Sequence, residues 1–264
     1  MYYYLHDTFL ADKRWEKVVD RIKTRLLDLE IGGKHEKLTL LKSVDELIGD
    51  EVKRGMTTVV VIGNDKTFLK VVDVAAKSNI TVGLIPVGPE NNLAQYLGLP
   101  MAEAACDVLA ARKIVAMDLG RVANQYFFTS LKINKNLDRL SVQKDSYKIV
   151  PQAGCAEIAI YNFYFPFGDE QFSRKMRINS AQDGRMELVI KTKAKSKGWS
   201  PFGKKAHDLK IDSIIQGQKF DVKSFEYLPV KLDEFKVLKT PIVVEVEKNK
   251  LNVIVGKNRA KHIV

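Results

Sequence analysis

The chain has 264 residues, 45% of them hydrophobic, and a formal net charge of +11 at pH 7, enough sequence for one large core or two modest ones. Two distant cysteines, Cys106 and Cys155, and four histidines without ligand spacing exclude a disulfide framework and a zinc site, so a reducing, cytoplasmic setting is expected. No apolar run reaches the ~18 residues of a bilayer span and the N-terminus lacks a signal-peptide pattern, while the positive charge suits any polyanion without choosing among them.

Tyr2, Tyr3, Tyr4 and Leu5 read as a first strand, and Trp15, Val18, Val19, Ile22, Leu26 and Leu29 follow at helical spacing. Leu38, Leu40 and Leu41 suggest a short second strand. Ser43-Val44-Asp45-Glu46 has the form of a capping box, opening a helix toward Arg54 and Gly55. The β-branched run over residues 58–62 predicts a strand buried on both faces. Phe68, Val71, Val72 and Ala75 stripe the next helix, which Ser78-Asn79 ends before a strand over 81–87. Leu93, Ala94 and Leu97 begin another helix, stopped by Gly98 and Pro100, and the alanine-rich stretch 102–112 makes one more. Strand and helix in alternation imply a parallel sheet with helical crossovers.

From Ile114 the pattern changes. Strands are predicted over 115–122, 126–133, 157–165, 186–194, 242–246 and 251–255, a succession that indicates an antiparallel sandwich or barrel. The domain boundary is therefore placed at residue 113. Within the second part, Lys191, Lys193, Lys195 and Lys197 alternate with Ile190, Thr192, Ala194 and Ser196, and Trp199, Phe202, Lys204 and Lys205 follow. A period of two puts those lysines on one strand face. Either this is the solvated side of an antiparallel strand, or it is a basic, aromatic-tipped hairpin that touches an anionic membrane surface. No nucleic-acid-binding motif accompanies the charge.

Two turns at strand ends carry the chemistry. Gly63-Asn64-Asp65-Lys66-Thr67 leads from the first buried strand into a helix, which aims unpaired backbone N–H groups at an anion. Gly88-Pro89-Glu90-Asn91-Asn92 does the same after the next strand. A carboxylate such as Asp65 beside phosphates makes sense where a divalent cation or a reacting hydroxyl lies between them. Equally, Asp65 and Thr67 suit the capping of the following helix.

These turns resemble the catalytic region of the diacylglycerol kinase family, which includes sphingosine kinases and is distantly similar to NAD kinases. The first stands where the family has a GGDGT turn and the second where it has a GTGND-like turn, with Ile85-Pro86 before it and Leu93-Ala94 and Leu97-Gly98-Leu99-Pro100 after it. Ala181-Gln182-Asp183-Gly184 resembles the family's Ala-x-x-Asp-Gly, and Pro229-Val230-Lys231-Leu232-Asp233 the strand leading to its Asp-Gly-Glu turn. This chain departs from the family at Asn64, Lys66, Glu90 and Phe235, and its first strand is followed by His6-Asp7-Thr8-Phe9-Leu10 instead of Asn-Pro-x-Ser-Gly.

The resemblance implies an α/β Rossmann-like nucleotide-binding domain over 1–113 and a β-sandwich over 114–264, with the active site in the cleft between them. It implies an ATP-dependent lipid kinase that transfers the γ-phosphoryl group to a lipid hydroxyl, with Mg²⁺ held by Asp65. Gly63, Asn64 and Gly88 would hold phosphate oxygens, Thr8, Lys66, Thr67 and Asn91 would contact the nucleotide, and Asp233 or Glu234 would take the hydroxyl proton. The altered turns support an alternative, a catalytically silent relative that keeps the fold to bind nucleotide or lipid; NAD kinase activity is a lesser alternative. Expected partners are a nucleotide, a lipid substrate and the inner face of an anionic membrane, with exposed strand edges leaving homodimer pairing open.

Overall fold

The computed structural model describes residues 1–39, 42–164, 180–193 and 209–259. The chain divides into two compact units, Met1–Leu119 with Lys248–Val264, and Gly120–Glu247.

In the first unit the elements are β1 (Tyr2–His6), α1 (Glu16–Asp28), β2 (Gly33–Lys37), α2 (Val44–Lys53), β3 (Thr58–Gly63), α3 (Asp65–Ser78), β4 (Thr81–Pro86), α4 (Asn92–Tyr96), α5 (Ala104–Ala111) and most of β5 (Ile114–Val122). The strands β2, β1, β3 and β4 pair in that order and all in parallel. Every residue of β3 and β4 is buried, as expected of central strands covered on both faces. On one face Tyr4, Val60, Ile62, Ile85 and Val87 share a core with Ile22 and Leu26 of α1 and Leu109 of α5. The neighbouring residues in each strand turn to the opposite face, and α3, which packs against α2, contacts β3 and β4. Local chemistry fixes the helix ends: Ser43 and Glu46 form the capping box of α2, and Asn79 closes α3 at φ 53°, a conformation asparagine tolerates.

The second unit holds β6 (Gln125–Phe127), β7 (Ser130–Ile133), β8 (Leu140–Lys144), β9 (Tyr147–Ile149), β10 (Cys155–Tyr161), β11 (Met186–Lys193), β12 (Leu209–Gly217), β13 (Lys219–Ser224), β14 (Pro229–Leu232), β15 (Lys236–Lys239) and the first half of β16 (Ile242–Ile254). One antiparallel layer runs β12, β11, β10, β7, β14, β15. The other runs β9, β8, β13 and the start of β16, again antiparallel. Leu131, Ile158, Leu188 and Val230 from the first layer meet Val142, Phe220, Val222 and Val244 from the second in a single core. This is the expected sandwich.

Several elements differ from the sequence expectation. The second strand is the polar stretch Gly33–Lys37, paired residue for residue with Tyr2–His6; Leu38 follows the strand, and Leu40 and Leu41 lie outside the described residues. The strand expected over 126–133 is broken at Phe128 and Thr129, whose N–H groups turn to the Asp233 carboxylate. The two final strands are one, β16, whose Val253 pairs in parallel with Val82 of the first unit. Lys191 is not on a solvated face: its side chain is 13% exposed, 2.7 Å from Glu157 and 2.9 Å from the Tyr161 hydroxyl. Lys193 is exposed, and the remainder of the proposed basic hairpin, 194–208, lies outside the described residues. Among the described residues no helix is long and apolar enough to cross a membrane.

Candidate functional site

The two turns of the first unit are stitched together by backbone. Val87 N–H donates to the Gly63 carbonyl at 2.8 Å, and Asp65 N–H donates to the Glu90 carbonyl at 3.1 Å. Asn64 is extended and caps α3, its Oδ1 accepting from Thr67 N at 3.3 Å. Lys66 lies in the first turn of that helix. Neither residue needs positive φ, so the departure from glycine introduces no backbone strain at either position. Lys66 Nζ lies 2.7 Å from Glu90, with side chains 71% and 55% exposed, so the pair is worth under about 1 kcal/mol.

Asp65 is the least settled group in this region. One carboxylate oxygen, Oδ2, accepts from the N–H of Leu93 at 3.0 Å, at the start of α4. The other, Oδ1, is buried and has no hydrogen-bond partner. Burial pushes the Asp65 carboxyl up to about 6, with Glu90 adding to the effect and the N–H groups of Leu93 and Asn92 opposing it. Asn91 repeats the pattern: its amide nitrogen donates to the Gly88 carbonyl at 2.7 Å while its Oδ1 is buried without a partner. Gly88 has φ +78°, and a Cβ there would lie 2.9 Å from the Phe9 ring. Only glycine satisfies both constraints.

Thr8 is joined by a residue the sequence reading passed over. Asp7, 8% exposed, directs its carboxylate at the first turn, accepting from the Thr67 hydroxyl, the Thr8 hydroxyl at 3.2 Å and Phe9 N–H at 3.4 Å. A Cβ on Gly63 would approach the Asp7 Cβ to 2.8 Å. The available signal was a carboxylate one position beyond a strand that pairs with the glycine-led strand. Gly63, Asn64, Asp65, Lys66, Thr67, Gly88, Asn91 and Thr8 thus all sit at strand ends or helix starts of the first unit.

Asp233 and Glu234 belong to the second unit and are not equivalent. Both have positive φ, 46° and 68°, and lie in the three-residue turn between β14 and β15, closed by the Phe235 N–H donating to the Leu232 carbonyl at 3.2 Å. Asp233 is 4% exposed and accepts from Phe128 N, Thr129 N, Thr129 Oγ1 and Ser130 N at 2.6–3.1 Å. Burial raises its pKa, and these four donors pull the other way. With its oxygens engaged, Asp233 is built as a staple. Glu234 is exposed and ion-paired with Lys132, so it is the more accessible carboxylate of the two. Among the described residues no cluster of three or more metal-ligating side chains is present.

A parallel sheet between helix layers, with glycine-led turns at its strand ends and an antiparallel sandwich as second unit, defines a Rossmann-like α/β protein with an appended β domain. Within that class, residues 10–122 match the family model of the diacylglycerol kinase catalytic domain, which bears out the resemblance carried by the two turns. The fold is similar to that of a solved structure described as a diacylglycerol kinase from Bacillus anthracis strain Sterne, at 14% identity, 98% coverage of each chain and a TM-score of 0.76. Two further solved structures from that organism align at 13% and 15% identity, covering 98% and 97% of each chain, with TM-scores of 0.75 and 0.72. At these identities the likeness is one of fold. No curated protein sequence matches the chain.

Proposed function

We propose that the chain is an ATP-dependent lipid kinase of the diacylglycerol kinase type, which transfers the γ-phosphoryl group of ATP to a lipid hydroxyl. The observation that carries this reading is the buried, unpartnered Asp65 Oδ1, beside a first turn that lies within the family match. A carboxyl pushed up to about 6 with one oxygen free of donors is suited to a cation or a hydroxyl proton. Asp65 would hold Mg²⁺, which when bound neutralises phosphate charge. Gly63 and Asn64, with Gly88, would approach phosphate oxygens through backbone; Asn91 Oδ1 and Thr8 would orient the nucleotide; Lys66 would supply a cation at the rim. Phosphoryl transfer rests mostly on such positioning. Glu234, accessible and paired with Lys132, is the better proposed proton acceptor, and Asp233 supports the turn that presents it.

A second reading, a catalytically silent relative, is favoured by Asp7. Its carboxylate already accepts from Thr8, Phe9 and Thr67, which are groups a nucleotide phosphate would otherwise use, and a fixed negative charge there opposes phosphate. Melting the protein with Mg²⁺-ATP, ATP with chelator, ADP and NAD separates the two, since a ligand of the folded state raises Tm by mass action. A Mg²⁺-dependent ATP shift, followed by label transfer from ATP to a diacylglycerol, supports the kinase. Absence of any shift at millimolar nucleotide, restored by Asp7→Asn or Lys66→Gly, supports the silent relative.

A further inference from the structure

We propose that one face of the second unit, formed by the loop over residues 224–228, the start of β8 and the end of β9, is a docking surface for an anionic phospholipid bilayer. Phe225 is 95% exposed and Tyr227 76% exposed. Isolated exposed aromatics are ordinary, but these two share one short loop whose backbone is held from beneath. Phe225 N–H donates to the Arg139 carbonyl at 3.3 Å, the Ser224 hydroxyl to the Glu226 carbonyl at 2.5 Å, and Leu228 N–H to Thr240 Oγ1 at 2.8 Å, with the Leu228 side chain buried. Glu226, between the aromatics, turns its carboxylate back to Asn136 at 2.7 Å and Arg139 at 3.4 Å. The loop therefore neutralises its own acid at its foot and leaves two rings in solvent.

Charge complementarity selects the occupant. Phe225 borders a cavity of about 260 Å³ whose lining includes the cations Lys148 and Lys223, the hydroxyl residues Ser141 and Ser224, the carboxylate Asp138 and Arg139, which is already paired with Glu226. Lys148 and Lys223 are exposed, and among the described residues neither has an ion-pair partner. A recess with cations and hydroxyls accepts a phosphodiester headgroup. Phe225 and Tyr227, with Val150 exposed in the recess lining, then sit at the depth where aromatic rings partition in membranes. Single-stranded nucleic acid would use the same cations and stack on the same rings; the exposed aliphatic Val150 in the recess lining, which offers a base no π face, favours the bilayer.

The test is co-sedimentation of the full chain with vesicles of phosphatidylcholine alone and of phosphatidylcholine mixed with phosphatidylglycerol. Binding is expected only to the mixed vesicles. Lys148→Gln with Lys223→Gln should weaken it about 30-fold, from about 1 kcal/mol for each lysine near such a surface. Phe225→Ser with Tyr227→Ser should weaken it roughly tenfold. All four positions are exposed, so the melting temperatures should be unchanged. A control pair in the first unit, Lys17→Gln with Lys53→Gln, removes the same charge and should leave binding within about twofold. Equal loss in the control and patch variants, loss of no binding in the aromatic variant, or displacement of the vesicles by a single-stranded oligonucleotide through the same lysines would overturn the proposal.

Discussion

Replacing Asp65 by Asn tests the site and its energetics together. The substitution removes the charge but keeps an oxygen that accepts from Leu93 N–H, the bond now made at 3.0 Å. A carboxyl held at about 6 instead of the ordinary 3.8 is disfavoured in its charged form at pH 7 by at most about 3 kcal/mol. Solvent reaches part of the group, and about 1 kcal/mol is what remains after that screening. Because the folded-state pKa is the higher one, Asp65 contributes its full stability below the unfolded value of about 3.8 and loses it as pH rises through about 6. The wild type carries the penalty at neutral pH and the variant does not. Asp65→Asn should therefore melt about 2–4 °C above wild type at pH 7, with the difference vanishing toward pH 4, and should lose any Mg²⁺-dependent stabilisation by ATP. Calorimetry from pH 4 to 8, with and without Mg²⁺-ATP, measures both. A variant that melts below wild type at pH 7 refutes the argument that burial makes this charge costly, and one that keeps the Mg²⁺-dependent shift removes Asp65 from the cation site.

Asp233→Ala leaves the N–H groups of Phe128, Thr129 and Ser130 without their acceptor, and at about 1–3 kcal/mol for each buried unsatisfied donor the loss should be about 3 kcal/mol or more; unchanged denaturant stability would contradict the staple role. His6, 3% exposed with Nε2 2.9 Å from His35 Nδ1, is held down to about 4, chiefly by burial and then by His35. Its neutral form is the folded form, so its contribution is complete above the unfolded value of about 6.5 and is lost as pH falls through about 4, by at most about 3 kcal/mol. Guanidinium unfolding at pH 7, 5.5 and 4 should show a smaller acid loss in His6→Gln than in wild type, and an equal loss would place the acid sensitivity elsewhere.

How much of this was written in the sequence follows from the range of the forces involved. The β-branched run of β3, the capping box at Ser43 and the helical stripe after Asp65 are local patterns, and each produced the element it predicts because backbone hydrogen bonding and burial both favour it. The two turns were legible for the same reason: a glycine forced by φ +78° and a ring 2.9 Å away at Gly88 leaves a mark at its own position. What the sequence could not supply was partnership across long separations. Asp7 meets Thr67 across 60 residues and Asp233 meets Thr129 across 104, and nothing near Asp7 or Asp233 in the chain announces those donors. The break in the strand at Phe128 and the pairing of Val253 with Val82 have the same origin. Sequence therefore determined which segments fold and which turns resemble those of the family, because those depend on neighbours a few positions away. Tertiary structure alone decided which carboxylates are saturated and which keep a free oxygen, because a carboxylate's role depends on the donors that folding delivers to it.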